Sequence, residues 1–178
     1  MLPINDLGYE SDDLMVKVSD LMVATADDSD TGIEHSVPEV LRLLRDKMHM
    51  DVVFVSEFLD GQRVFRHVDS EPEAAVFAAG DGNPLEETWC QRVVDGRLPP
   101  YIPDASKDPS SAQLEKELPF RIGTFISTPI VLKDGEVYGT LCCLSFKPLE
   151  NSDPADLKRL QYTAKLAASK IDARRGQL

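Results

Sequence analysis

The sequence predicts an α+β fold built around a central antiparallel β-sheet, and three observations support that prediction. Residues 123–146 contain two runs rich in β-branched and aromatic residues, separated by Asp134-Gly135, which is typical of a β-hairpin with a tight turn. Both runs are apolar at nearly every position, as in strands that are covered on both faces. Hairpins outnumber helical crossovers along the chain, which favours antiparallel pairing over a parallel sheet.

Composition and charge narrow the function classes. The chain has 178 residues, of which 42% are hydrophobic, enough for one domain with a proper core. No apolar run approaches the roughly 20 residues of a membrane span, and the N-terminus lacks the pattern of a signal peptide. We therefore expect a cytoplasmic protein that does not contact membranes. The net charge of −12 also argues against nucleic-acid binding, because phosphate backbones are anionic.

The N-terminal part of the chain predicts two helices. Residues 11–24 carry an apolar stripe behind Ser11 as a cap, and a polar, Gly-containing stretch follows them. We therefore divide the chain into an N-terminal helix and linker, residues 1–33, and a domain, residues 34–178. The second helix is expected to start at Ser36, because Ser36 and Glu39 can form a capping box.

The rest of the chain alternates strands with short helices. Residues 51–59 and 62–68 predict a hairpin around Asp60-Gly61, with the second strand nearer a sheet edge. A helix is expected from Asn83-Pro84 to Gly96, a short strand at residues 99–102, and a short helix at residues 110–118. Asp153-Pro154 predicts the start of a long final helix. Its apolar residues follow a heptad pattern that favours a homodimer through the first and last helices, and they are Leu157, Leu160, Ala164, Ala167 and Ile171.

Catalytic and metal-binding motifs are not evident in the sequence. Cys90, Cys142 and Cys143 form no disulfide pattern, and we expect them to be reduced. Cys90 is near Arg92 in sequence, but none of the three lies in a motif that would clearly lower its pKa. The three histidines are scattered without metal-ligand spacing, and the strand serines and threonines have no local base.

Five segments together resemble the GAF domain, a small-molecule-sensing module of signalling proteins. The resemblance covers residues 34–172 and implies a central antiparallel sheet, with terminal helices on one face and a ligand pocket roofed by short helices and loops on the other. The matching segments are DVVFVSEFLDG, LEETWCQRVVDG, YIPDASKDP, ISTPIVLKDGEVYGTLCCLSF and the long final helix. The signatures of cyclic-nucleotide-binding and chromophore-binding members are absent, so the cofactor is unknown, with no metal, haem or bilin motif.

The resemblance implies a pocket between the sheet and residues 89–104. We expect the strand faces that carry serines to form its floor, because a small-molecule site is mostly apolar with a few polar groups. The candidate ligand-binding residues are Phe54, Ser56, Trp89, Cys90, Val93, Asp104, Phe125, Ser127 and Cys143. Strand alternation places Leu141 with Cys143 and assigns Ile126 and Ile130 to the helix side. Trp89 either packs the roof or lines the cavity, and Asp104 either caps its loop or accepts a hydrogen bond from the ligand.

Three functions remain open. The leading one is a non-catalytic sensory or regulatory module that binds an unidentified small molecule, or relays a signal through a homodimer to an output domain or partner protein. The second is an enzyme, a thiol-dependent reductase of the free-methionine-sulfoxide type. The third is a purely structural dimerisation domain with a filled core.

Overall fold

A six-stranded antiparallel sheet forms the centre of the protein. The computed structural model describes Val18 and residues 30–176, with side chains from residue 37 onward. The predicted helix at residues 11–24 lies outside the described residues except for Val18, which is helical and fully buried. The strands in spatial order are β3 (Gly82–Pro84), β2 (Gln62–Ser70), β1 (Val52–Leu59), β6 (Val137–Leu144), β5 (Phe125–Val131) and β4 (Tyr101–Ile102).

Helices cover the two faces of this sheet unequally. The long helices α1 (Asp30–Met48) and α4 (Ala155–Arg175) pack on one side, which we call the helix face. The short helices α2 (Trp89–Val94) and α3 (Ala112–Lys116), with the loops around them, pack on the other side, the roof face. The predicted α+β class and the two-sided covering of the central strands are both confirmed. In the part of the chain that the structure describes, no helix is both long and apolar enough to cross a bilayer.

The hairpin of β5 and β6 is as central as the sequence predicts, but its turn differs. Only Gly135 has a positive φ, of 88°, and the Leu132 carbonyl accepts a hydrogen bond from its N–H. This is a type I turn followed by a glycine bulge, whereas Asp60 and Gly61, both at positive φ, form the primed turn. Gly139 of β6 passes so close to β1 that a Cβ there would lie 1.8 Å from the Ser56 carbonyl oxygen.

Two predicted helix starts are wrong. Helix α1 begins at Asp30, six residues before the predicted cap at Ser36, and contains Pro38. Helix α1 continues through Pro38, which the capping-box pattern placed in the first turn. Because the helix begins earlier, the linker predicted to precede it is shorter. Asn83 and Pro84 belong to strand β3, because the sheet edge offers this segment backbone partners in β2. The helix α2 starts later, where the Thr88 side chain accepts a hydrogen bond from the Gln91 N–H.

Part of the predicted dimer seam on the last helix is buried in the core of the same chain. Leu160 is fully buried and Ala164 is 3% exposed, and both belong to the core of the helix face. Packing of this helix against the sheet therefore explains part of its heptad pattern without a second chain. A charged residue in place of Ala164 would therefore lie in the core of the domain.

Candidate functional site

A row of four buried polar or sulfur side chains crosses the roof face, and we call it the polar strip: Ser56, Ser127, Thr140 and Cys142. Strand register produces it, because Ser56 pairs with Thr140 and Ser127 pairs with Cys142, and directly paired residues share a face. The Ser56 and Thr140 hydroxyls are 2.8 Å apart and hydrogen-bonded. The Ser127 hydroxyl is buried and has no hydrogen-bond partner in the structure.

Aromatic rings surround the polar strip. Phe54 contacts Phe65 edge-on with ring centroids 4.9 Å apart, and Phe77 stacks on Phe65 at 4.7 Å. Trp89 of α2 meets Phe125 of β5 at 5.2 Å. These rings pack together between the sheet and the roof, in the region where the sequence predicts a cavity. The strip is therefore a set of polar groups inside an apolar, desolvated environment.

A buried arginine lies beside the strip. Arg63 of β2 is 7% exposed, and its Nη1 donates to the Cys90 sulfur at 3.4 Å. Its Nε donates to the Asn83 side-chain oxygen at 3.2 Å, and its guanidinium lies over the Phe65 ring at 4.6 Å. A cation in this environment retains favourable contacts with an amide oxygen, a sulfur and a ring face.

The two roof-face thiols titrate very differently. A hydrogen bond with Cys142, together with the charge of Arg63 and a hydrogen bond with Thr140, lowers the pKa of Cys90 to about 5 despite its burial. Burial and the neighbouring Cys90 raise the pKa of Cys142 well above its ordinary value. Burial likewise raises the pKa of Cys143. The contact with Arg63 and these opposite shifts favour ionisation at Cys90 rather than at Cys142.

The structure brings most of the predicted site residues together. Phe54, Ser56, Trp89, Cys90, Phe125 and Ser127 all lie on the roof face or in the roof, and Val93 packs against the same core. Ile126 and Ile130 face the helices, as predicted. Asp104 does not join them, because its carboxylate accepts hydrogen bonds from the Ser106 N–H and hydroxyl and stabilises its own loop.

The predicted position of Cys143 in the ligand site is wrong. It lies with Leu141 in the core of the helix face, so the predicted face of β6 is wrong for both residues. Phe54 pairs with Cys142, and this pairing turns Cys142, not Cys143, toward the roof. The pattern of β6 did not distinguish the two, because residues 141–144 are apolar or cysteine throughout.

Sequence reasoning missed Arg63, Thr140 and Cys142. A signal for Arg63 was present: it alternates with Phe65 along β2, so both side chains point to the same face. Its partner Cys90 is 27 residues away in sequence, and no local pattern joins them. Among the residues that the structure describes, no group of three metal-ligating side chains converges.

A small apolar cavity of about 110 Å³ lies on the helix face, between α1, α4 and the sheet. Val40, Val55, Leu141 and Ala167 are among its lining residues, with Lys170 at the polar end. It is on the side of the sheet opposite to the polar strip and shares none of its residues. The two sites are therefore separate.

Comparisons with known proteins agree with this architecture. The family model of the GAF domain matches residues 33–171, whereas no curated protein matches the sequence significantly. The GAF domain of an Acinetobacter phosphoenolpyruvate-protein phosphotransferase is 16% identical with a TM-score of 0.70, covering 94% of this chain and 96% of its own.

Two further solved structures share the fold. The chromophore-binding domain of a Stigmatella aurantiaca bacteriophytochrome is 12% identical with a TM-score of 0.70, over 92% of this chain and 61% of its own. The free methionine-R-sulfoxide reductase of Neisseria meningitidis, solved with its substrate, is 16% identical with a TM-score of 0.64, over 90% of this chain and 89% of its own.

Proposed function

The chain belongs to the GAF domain family, and from that premise we propose that it is a non-catalytic sensory module that binds a small molecule at the polar strip. The single observation that carries the proposal is the buried Ser127 hydroxyl without a partner. An unsatisfied buried hydroxyl costs roughly 1–3 kcal/mol, and a ligand that supplies its hydrogen bond recovers that cost. Its position beneath the roof is where the family places its ligands.

The surroundings indicate the chemistry of the ligand. Phe54, Phe65 and Phe77 offer ring faces, which favour a flat, largely apolar molecule. Arg63 favours an acceptor or anionic group at one end of that molecule. Among the structural neighbours, the bacteriophytochrome domain binds a chromophore, and a GAF domain from a cyanobacterial phytochrome was solved with phycocyanobilin bound.

Entry of the ligand requires the roof to move, and Phe77 is the side chain best placed to do so. It lies in the irregular segment between the short 3₁₀ turn Pro72–Ala74 and β3. Its contacts with Phe54, Phe65 and Phe120 fill space above the sheet. Displacement of one half-buried ring would open volume beside the strip without breaking any strand pairing.

Native mass spectrometry of protein purified from cells tests this proposal. The wild-type protein should retain, or take up from a metabolite extract, a small molecule that denaturation releases. Ser127→Ala should lower the bound fraction at least about fivefold, because it removes one hydrogen bond while leaving the fold intact. Thr128→Ala is the matched control, since Thr128 is the next residue of β5, is also buried, and pairs with the helix-facing Leu141.

Two results would contradict the proposal. One is a wild-type protein that neither retains a molecule nor takes one up from the extract. The other is equal loss of binding in the Ser127 and Thr128 variants, which would place the ligand elsewhere.

The same proposal includes a cytoplasmic homodimer that acts on an output domain or partner protein. The three free thiols support a reducing compartment. Tyr162, 43% exposed on α4, supports pairing through the first and last helices. Tyr162→Glu should yield monomers in sedimentation velocity, whereas Val76→Glu, at a position that is 40% exposed on the roof side, should not. A wild-type monomer at high micromolar concentration would refute the dimer.

The contact of Arg63 with Cys90 favours a second candidate, the thiol-dependent reductase of free methionine sulfoxide. One structural neighbour has that activity under the same fold. Turnover of free methionine sulfoxide with a dithiol reductant, lost in Cys90→Ser but not in Cys143→Ser, would establish it. Absence of turnover in the fully reduced wild-type protein would leave the sensory function alone.

A further inference from the structure

Arg63 is a buried cation that donates a hydrogen bond to the sulfur of a cysteine, Cys90. Within the described part of the chain, no carboxylate lies within ion-pair distance of Arg63, and its polar contacts are Asn83 and Cys90. A buried charge is costly unless an opposite charge or several hydrogen bonds compensate it. A thiolate at Cys90, 3.4 Å from the guanidinium, supplies that compensation.

A second thiol lies beside the first. Cys142 of β6 points to the roof and lies in the same buried core as Cys90 of α2. Cys143 points to the opposite face of the sheet and is separated from both by the strand itself. The roof side therefore contains two thiols, of which Cys90 is the one that contacts Arg63, while Cys143 on the opposite face is an internal control.

We propose that Cys90 and Cys142 are a redox-active dithiol that hydroperoxides oxidise to a disulfide joining α2 to β6. The Cys90 thiolate attacks one peroxide oxygen, the O–O bond breaks, and the leaving oxygen takes a proton and departs as water or alcohol. Cys90 is then a sulfenic acid. Cys142 sulfur attacks the Cys90 sulfur, the S–S bond forms, and hydroxide leaves with the Cys142 proton as water. Two thiols are oxidised by two electrons and one peroxide is reduced.

Geometry favours this pair over any other. Cys90 and Cys142 are fully buried in the same roof-face core, whereas Cys143 lies in the core on the opposite face of the sheet, and the disulfide would bring the two roof-face sulfurs to about 2.05 Å. Cys90 lies in a helix of only six residues on the roof side, and hydrogen peroxide is small and uncharged enough to reach a buried thiol through local opening of such a short element. The proposal does not depend on the small-molecule ligand, since it needs only the residues of this chain.

Peptide mass spectrometry on the full chain tests it. The reduced protein is treated with hydrogen peroxide, and its remaining thiols are alkylated after denaturation. We expect two of the three thiols to be protected and a linked peptide that contains Cys90 and Cys142, with Cys143 alkylated. Three free thiols, a disulfide that includes Cys143, or only sulfinic and sulfonic acids would overturn the proposal.

The rate of oxidation tests the role of Arg63. Arg63 is one of several groups that favour the Cys90 thiolate, so Arg63→Met should slow disulfide formation at pH 7 at least about threefold. Cys143→Ala should change the rate less than about twofold. If Arg63→Met does not fold, the wild-type pH profile serves the same purpose. A rate that has levelled off by pH 7 supports the proposal, and one that still climbs through pH 8 overturns it.

Discussion

The thiolate at Cys90 predicts a particular dependence of stability on pH. The folded state lowers the pKa of Cys90 to about 5, through Cys142 and Arg63, whereas the unfolded chain should have a pKa of about 8.5. Between these values the unfolded state binds one more proton at this position than the native state. The free energy of unfolding therefore rises with pH across that window, and this stabilisation is lost as pH falls through the folded pKa.

The slope sets the expected magnitude. One proton corresponds to about 1.4 kcal/mol per pH unit, so between pH 5.5 and pH 7.5 the Cys90 contribution should grow by about 2–3 kcal/mol. That is a large part of the 5–15 kcal/mol typical of a domain. Above about pH 9 the trend reverses, because the raised pKa of Cys142 keeps a proton on the native state that the unfolded chain has lost.

Urea unfolding under reducing conditions measures this effect. The wild-type protein and Cys90→Ser are compared at each pH, so that histidine and carboxyl titrations common to both cancel in the difference. Serine is similar in size and does not ionise in this range. A difference between the two proteins that stays constant from pH 5.5 to pH 7.5 would refute a thiolate at Cys90.

Three further outcomes follow from the packing. Gly139→Ala should lower the free energy of unfolding by about 3 kcal/mol or more in urea titration, because its Cβ would overlap the Ser56 carbonyl, whereas open space around Gly61 makes Gly61→Asn a mild control. Ala164→Glu should abolish cooperative unfolding seen by circular dichroism, because it buries an unpaired charge in the helix-face core; a stably folded monomer would contradict this. Phe77→Ala should cost about 2 kcal/mol and increase binding of a hydrophobic dye, because its ring covers Phe54 and Phe65; unchanged dye binding would contradict the role of Phe77 in closing the roof.

The hairpins were predictable because their signals are local. Asp60-Gly61 and Asp134-Gly135 each lie between runs with strand propensity, and turn chemistry acts over only a few residues. The helix starts were less predictable, since Pro38 and Pro84 occupy positions where sequence favours a helix beginning. In the structure Pro38 lies within a helix that has already begun, whereas Pro84 belongs to the edge strand β3. The strand assignment of Pro84 depends on its pairing with β2, which the local sequence does not reveal.

The sequence of β6 alone does not show which of its residues point to the roof and which point to the helices. A strand that is buried on both sides shows no alternation, so Cys142 and Cys143 are equivalent by pattern. Cross-strand register decides between them, through the pairing of Phe54 with Cys142. On β1, the expectation that the serine-bearing face forms the pocket floor placed Phe54 and Ser56 together, and the pairing of these residues with Cys142 and Thr140 puts both on the roof face.

Strand alternation predicts which face Arg63 lies on but not which residues it contacts. Alternation places its guanidinium on the buried face beside Phe65, which in isolation argues against the strand assignment, because an unpaired buried cation is destabilising. The assignment is nonetheless right, because Asn83, Cys90 and the rings of Phe54 and Phe65 converge on Arg63 from four elements. A buried charge on an otherwise ordinary strand is therefore informative even in a single sequence. It requires a partner across the core, and here the side chain that meets the requirement is a thiol able to carry the opposite charge.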